Sequence, residues 1–209
     1  ITEEQLGFAR LPVGDIWELF AEDGEMKMYK REEEIDGLVV DPLKAVHIVK
    51  GVTARELCYY FFSPQFREEW EATVEQATVL EKISEDILIF LQLHKRIWPA
   101  SQRDSLFWSH RQKIKDISED DAPEPSGSCV RILLTVIFLC DTFINNGKKA
   151  SNCSREDISC KITYCSVVNP GGWVPATALR TIYKREYPKF LKRLTKYVIE
   201  KTKNNPIMW

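Results

Sequence analysis

The 209 residues make one large domain or two small ones; a chain of that length buries roughly 70% of its extended surface and needs neither disulfides nor a metal for stability. Twenty-nine basic against 31 acidic side chains leave a net charge of −2, which excludes a generally basic nucleic-acid binder and a strongly acidic tail protein. Hydrophobic residues at 44% and charged residues at 29% describe a globular chain, and no apolar run approaches the roughly 18 residues of a membrane span.

The chain opens at Ile1 without an initiator Met and without a signal-peptide pattern in Ile1–Arg10, so it is expected to be a piece of something longer. Met26–Glu33 and Leu38–Gly51 read as strands with Asp36-Gly37 as the hairpin turn between them. Thr53–Phe62 reads as a helix capped by Thr53. Pro64–Thr73 is a second short helical stretch, which would set Arg67 and Glu71 one turn apart on one face. Val79–Leu80 and Ile87–Ile97 form a strand pair; Asp104–Lys115, Val130–Phe143 and Ile158–Val168 are further strands, with loops at 116–128 and 145–155.

The chain ends in one long helix from Pro175 to about Lys203. Leu179, Ile182, Tyr183, Phe190, Leu191, Leu194 and Val198 recur at helical spacing, with Lys and Arg between them. Pro175 suits a first turn, and Pro188 is expected to kink the middle. Twenty-nine residues at 1.5 Å would run about 43 Å, the length of a whole sheet. The expected class is α+β, a curved antiparallel sheet gripping a helix. No linker divides residues 1–209 into two domains.

The near-neutral total conceals a charge dipole. Residues 1–36 carry eleven acids and four bases (−7), and residues 180–203 nine bases and two acids (+7). The basic end is either a solvated helix face or a surface for an anionic partner. Six cysteines show no CxxC pair and no zinc spacing, and most lie in apolar runs, the usage expected in a reducing compartment.

In the strand Ile87–His94, Leu88, Phe90, Gln92 and His94 share one face and Ile87, Ile89, Leu91 and Leu93 the other. Both faces are apolar, so the strand is expected to be buried on both sides. A buried Gln92 requires partners, either neighbouring protein groups or the polar group of a ligand. No GxGxxG, Walker loop or GxSxG occurs, so no cofactor is expected, and His47, His94 and His110 stand on separate strands with no metal-ligand spacing. Trp98 before Pro99, and Trp173 after Asn169-Pro-Gly-Gly172, lie in turn chemistry at element ends. Each is either a headgroup-layer anchor at a membrane surface or a staple against its own domain.

Three longer strings carry a resemblance: Trp98-Pro-Ala-Ser-Gln-Arg-Asp104, Val168-Asn-Pro-Gly-Gly-Trp173 and Lys184-Arg-Glu-Tyr-Pro-Lys-Phe-Leu-Lys-Arg193. With Gly24–Tyr29, Asp41–Thr53 and Cys160–Tyr164, they make the chain resemble a START lipid-transfer domain from about residue 22 to the end. The resemblance implies a single helix-grip domain enclosing one lipid in an apolar tunnel. It implies a non-enzymatic, monomeric carrier without cofactor, nucleic acid or metal. Such a carrier would move a ceramide-type sphingolipid through the cytoplasm between endoplasmic reticulum and Golgi membranes, by transient contact with their surfaces. The positions matching the polar end of the tunnel are Glu71, Gln92 and Tyr164, with Arg67 neutralising Glu71; Trp98 and Trp173 would touch the membrane. The chain departs from the family between residues 115 and 130, which are short by about one strand and contain no Asn, although the family takes a further polar ligand, an Asn, from that strand. A carrier of sterol or phospholipid, a hydrolase acting on a hydrophobic substrate, and an interaction module built on the basic helix are the alternatives.

Overall fold

The computed structural model describes residues 2–14, 16–35, 38–96, 101–112, 130–131, 133–171 and 174–209. Helix α1 (Thr2–Arg10) leads into β1 (Glu18–Asp23), β2 (Met26–Lys30), β3 (Glu34–Ile35), β4 (Leu38–Val39) and β5 (Leu43–Lys50). Lys27 lies opposite Val46 and Ile35 opposite Leu38, so one register runs through both pairings and β3–β4 is the outer end of the expected hairpin. Asp36 and Gly37 themselves lie outside the described residues. Gly24, at φ +64°, supplies the left-handed residue that the β1–β2 turn requires. Neither α1 nor β1 was expected from the sequence.

Helix α2 (Ala54–Phe62) starts at the expected cap. The Thr53 side chain accepts from the Glu56 amide at 3.2 Å, and Glu56 accepts from the Thr53 amide at 3.0 Å. This reciprocal box contributes about 1 kcal/mol. Glu56 is wholly buried and also holds Arg155 through two contacts, at 2.9 and 3.2 Å. Thr53 Oγ1 donates to the Met208 carbonyl at 2.6 Å, which fastens the segment following the last helix onto the start of α2.

After α3 (Pro64–Trp70) come β6 (Val74–Ser84), β7 (Ile87–His94), β8 (Arg103–His110), β9 (Val130–Arg131), β10 (Leu133–Ile144), β11 (Ile158–Asn169) and α4 (Ala176–Thr202). The expected loop at 145–155 contains short 3-10 turns. Among the described residues the strands form an antiparallel sheet in the order β1-β2-β5-β11-β10, a second sheet β6-β7-β8-β9, and the short β3–β4 ladder. The expected missing strand and the loop 116–128 fall within 113–129, outside the described residues. On either side of that segment β8 and β9 run parallel, Arg103 facing Val130 and Asp104 facing Arg131. A parallel pair at this point is the arrangement expected where an antiparallel meander is one strand short.

Twenty-seven residues give α4 a length of about 40 Å. Its buried Tyr187, Leu191, Leu194 and Val198, spaced 4-3-4, press on Met26, Met28, Ala45, Cys160, Ile162 and Tyr164 of the five-stranded sheet, with Leu57 and Trp70 closing the core. Part of the basic charge of α4 is paired within the molecule. Arg180 grips the buried Asp41 through two hydrogen bonds, at 2.7 and 3.1 Å, Lys192 pairs with Asp23, and Lys201 meets Glu69 at 2.9 Å. Several bases of α4 therefore bind acids of the chain itself and are neither simply solvated nor free for a partner.

Candidate functional site

The alternation of β7 buries one face only. Leu88, Phe90 and Gln92 are buried while Ile87, Ile89, Leu91 and Leu93 are half-buried, which corrects the expectation of burial on both sides. Along the buried face the character changes from apolar to polar. Phe90 packs edge-on to Phe107 of β8, with ring centroids 4.1 Å apart, and the next buried position is Gln92, 6% exposed. Gln92 Oε1 is buried and accepts no hydrogen bond.

Helix α3 brings the other polar groups to this end. It stops at Trp70, and Glu71 takes extended backbone angles (φ −88°, ψ 91°) while its amide still donates to the Arg67 carbonyl at 2.8 Å. Glu71 is 3% exposed, and its Oε1 accepts from the Thr73 hydroxyl at 2.9 Å, the Thr73 amide at 3.2 Å and Arg193 Nη2 at 3.4 Å. Val74, three residues after Glu71, pairs with His94, two residues after Gln92, so the turn at Glu71 and the polar end of β7 are neighbours.

The expectation that Arg67 neutralises Glu71 from one turn away is corrected. The helix ends at Trp70, and although the Glu71 charge still acts on Arg67, the ion-pair partner of the carboxylate among the described residues is Arg193 of α4. The Arg67 guanidinium lies against the rings of Phe61 (4.7 Å) and Trp70 (4.9 Å) and donates from Nη2 to the Phe61 carbonyl at 2.8 Å. Burial lowers its pKa, opposed by the charge of Glu71. Sequence reading missed Arg193; its only local signal was a base beside Leu191 and Leu194 on the helix.

Tyr164 of β11 is buried among the rings of Phe61, Phe138, Tyr187 and Phe190. Burial raises the pKa of its hydroxyl, with Arg67 pulling it down and Glu71 pushing it up, so the phenol stays protonated and is a donor as well as an acceptor. The structure thus gathers Arg67, Glu71 and Tyr164 within electrostatic reach of one another, with Gln92 on β7, which pairs with the strand that follows α3. Two further side chains belong to this end. His94 Nε2 lies 2.8 Å from the hydroxyl of the wholly buried Ser105. Burial pushes the His94 pKa down to about 4, against the pull of Asp104, so the ring is neutral at pH 7.

The polar arithmetic at this end is incomplete. Gln92 Oε1 lacks a donor, and the buried Nε atoms of Arg67 and Arg193 and Nε1 of Trp70 lack acceptors. Each such atom costs about 1–3 kcal/mol when left unpaired. A molecule offering both donors and acceptors would repay several of these costs at once. Among the described residues no group of three or more His, Cys, Asp or Glu could hold a metal, and no helix is long and apolar enough to cross a membrane. Trp98 and Trp173 lie outside the described residues.

A sequence profile of the START domain family matches residues 13–204. The chain is 47% identical over 208 residues to a protein named ceramide transfer protein from Cricetulus griseus, covering 92% of this chain and 35% of that protein. It is also 47% identical to the ceramide transfer protein of Homo sapiens, covering 92% of this chain and 33% of that protein. The chain therefore spans about a third of the length of these relatives. Among solved structures, human StAR-related lipid transfer protein 5 superposes with a TM-score of 0.72 at 16% identity, over 95% of this chain and 93% of that one. A STAR-related lipid transfer protein from Xanthomonas axonopodis superposes at 0.63 and 17%, over 88% and 99%.

Proposed function

The chain belongs to the START domain family, and from that membership we propose that it binds one ceramide-type sphingolipid and carries it between membranes. The observation that carries the reading is the unpaired, buried Gln92 Oε1 at the polar end of β7, the end that meets the segment following Glu71. A ceramide headgroup brings an amide N–H and two hydroxyls, which supply the donors that Gln92 and Glu71 can accept. Its amide carbonyl and hydroxyl oxygens supply acceptors that the unpaired N–H groups of Arg67 and Trp70 and the Tyr164 hydroxyl can use. The relatives named ceramide transfer protein support the same ligand.

A sterol, with a single hydroxyl, would leave most of these atoms unpaired. A phospholipid would place its phosphate against the Glu71 carboxylate. The nearest approach to a nucleophile and base is the Ser105–His94 couple, and a histidine whose pKa is held near 4 is too weak a base for work at neutral pH. The reading is a carrier, not a catalyst.

In the cell the carrier would act as a monomer in the cytoplasm, between endoplasmic reticulum and Golgi membranes. Trp98 and Trp173 would dip into the headgroup layer while the lipid passes. Transfer of fluorescent ceramide from donor to acceptor vesicles tests the proposal. The wild-type chain should move it, and Trp98→Ala and Trp173→Ala should slow transfer more than they weaken binding of detergent-dispersed ceramide. Vesicle transfer no faster than the protein-free control would overturn the reading.

A further inference from the structure

We propose that Ser105, positioned by His94, is a ligand-contacting residue that sets specificity for a lipid headgroup hydroxyl. The inference rests on the ceramide reading above and adds to it a contact and the group that this contact selects.

The placement follows from strand register. Gln92 and Ser105 are directly opposite in the antiparallel β7–β8 ladder, so their side chains leave the same face, and His94 follows two residues later on that face. The pair next along the ladder on that face is Phe90 opposite Phe107, the apolar edge-on couple. Gln92 and Ser105 are thus the first polar rung after an aromatic one, where a lipid's chains give way to its headgroup. Ser105 has no exposed surface, and among the described residues the partner of its buried hydroxyl is His94 Nε2 at 2.8 Å.

One bond does not exhaust a hydroxyl, which has one donor and two acceptor sites. The neutral imidazole permits two arrangements. If Nε2 accepts, the Ser105 proton is committed to His94, and Oγ is left to accept from the ligand. If Nε2 carries the proton and donates, Ser105 is free to donate. In either arrangement the fixed Oγ lies across the ladder from Gln92, whose Oε1 lacks a donor. A ligand hydroxyl entering between them completes both residues, donating to one while accepting from, or sharing with, the other. A headgroup lacking that hydroxyl leaves Gln92 Oε1 as unpaired as in the empty protein, so the rung discriminates by hydroxyl content, not by size. His94 is a positioning residue: it fixes the Ser105 hydroxyl and is not required to touch the lipid.

The test is a cycle between residue and lipid, using the whole 209-residue chain and extraction from vesicles containing ceramide, 1-deoxyceramide or 3-deoxyceramide. Ser105→Ala should reduce ceramide extraction about tenfold, and reduce extraction of one of the two deoxyceramides less than twofold, since that lipid lacks the hydroxyl Ser105 holds. His94→Phe should show the same pattern at smaller amplitude and add little to Ser105→Ala. Wild-type protein must prefer ceramide to that same deoxyceramide, a comparison that does not depend on any variant folding. Equal losses by Ser105→Ala on all three lipids, or wild-type extraction indifferent to both hydroxyls, would overturn the role of Ser105 while leaving the carrier reading intact. Wild-type protein that extracts none of the three would overturn the carrier reading itself.

Discussion

Arg193 of the last helix reaches the Glu71 carboxylate at 3.4 Å, across 122 residues of sequence, and so joins the C-terminal helix to the turn that ends α3. The carboxylate is almost wholly buried and the guanidinium partly so, which makes this pair both a tertiary fastening and the charge balance of the site. Arg193→Met keeps the length of the side chain and removes its charge. It should destabilise the empty protein by about 1–3 kcal/mol, read from urea unfolding at pH 7, because the buried Glu71 loses a charged hydrogen-bond donor. Arg67→Met should behave differently, with its larger effect on lipid extraction.

Gln92 offers a sharper separation of stability from binding. Its Oε1 is buried without a donor, so Gln92→Leu removes a polar penalty and should leave the melting temperature of the empty protein unchanged or raise it by a few degrees. The same change should cut ceramide extraction fivefold or more. A variant that melts well below wild type would show that Gln92 is an ordinary structural amide.

Acid should weaken the fold before the carboxylates titrate. The pKa of His94 is lowered from 6.5 to about 4, so between those values the unfolded chain binds a proton that the folded chain refuses. Stability attributable to this residue is complete above pH 6.5 and is lost as pH falls toward 4, on the order of 3 kcal/mol in all. His94→Gln should flatten that part of the pH–stability curve. At lower pH, Asp157, lowered from 3.8 to about 2 chiefly by its bond to Lys148, should hold its share of stability until pH falls through that range.

Sequence made some of this legible and not the rest, for identifiable reasons. The Thr53 cap, the alternation of Ile87–His94 and the periodicity of α4 are local signals, and each emerged where expected within a few residues. Helix α1 offers Leu6, Phe8 and Ala9 but no strong apolar stripe. Strand β1 breaks its own alternation with a register shift between Leu19 and Ala21. The pairing of Arg67 with Glu71 failed because Glu71-Ala-Thr73 carries no Gly or Pro to announce the end of α3, and the real partner lies on another element. Ser105 was missed for a related reason. Nothing near it in sequence marks a site, and its meaning comes from the residue facing it across the ladder.

Hydrogen exchange should expose the consequence of the parallel passage between β8 and β9. Strand β11 is paired on both sides, to β10 and β5. Among the described residues β10 is paired only to β11, and β8 beyond β7 only at Arg103 and Asp104. Amides of Ile158–Val168 should therefore exchange slowly, and alternate amides of Leu133–Phe143 should exchange faster, about a hundredfold or more. Uniformly slow exchange in all the strands would mean that another segment completes the ladder.

Native mass spectrometry of the chain after incubation with mixed vesicles, containing ceramide, cholesterol, diacylglycerol and phosphatidylcholine in equal amounts, tests the account at its centre. The expected result is one bound lipid per chain, with the mass of ceramide, and loss of that species in Gln92→Leu. A retained sterol or phospholipid in wild-type protein, or ceramide bound equally well by Gln92→Leu, would contradict it.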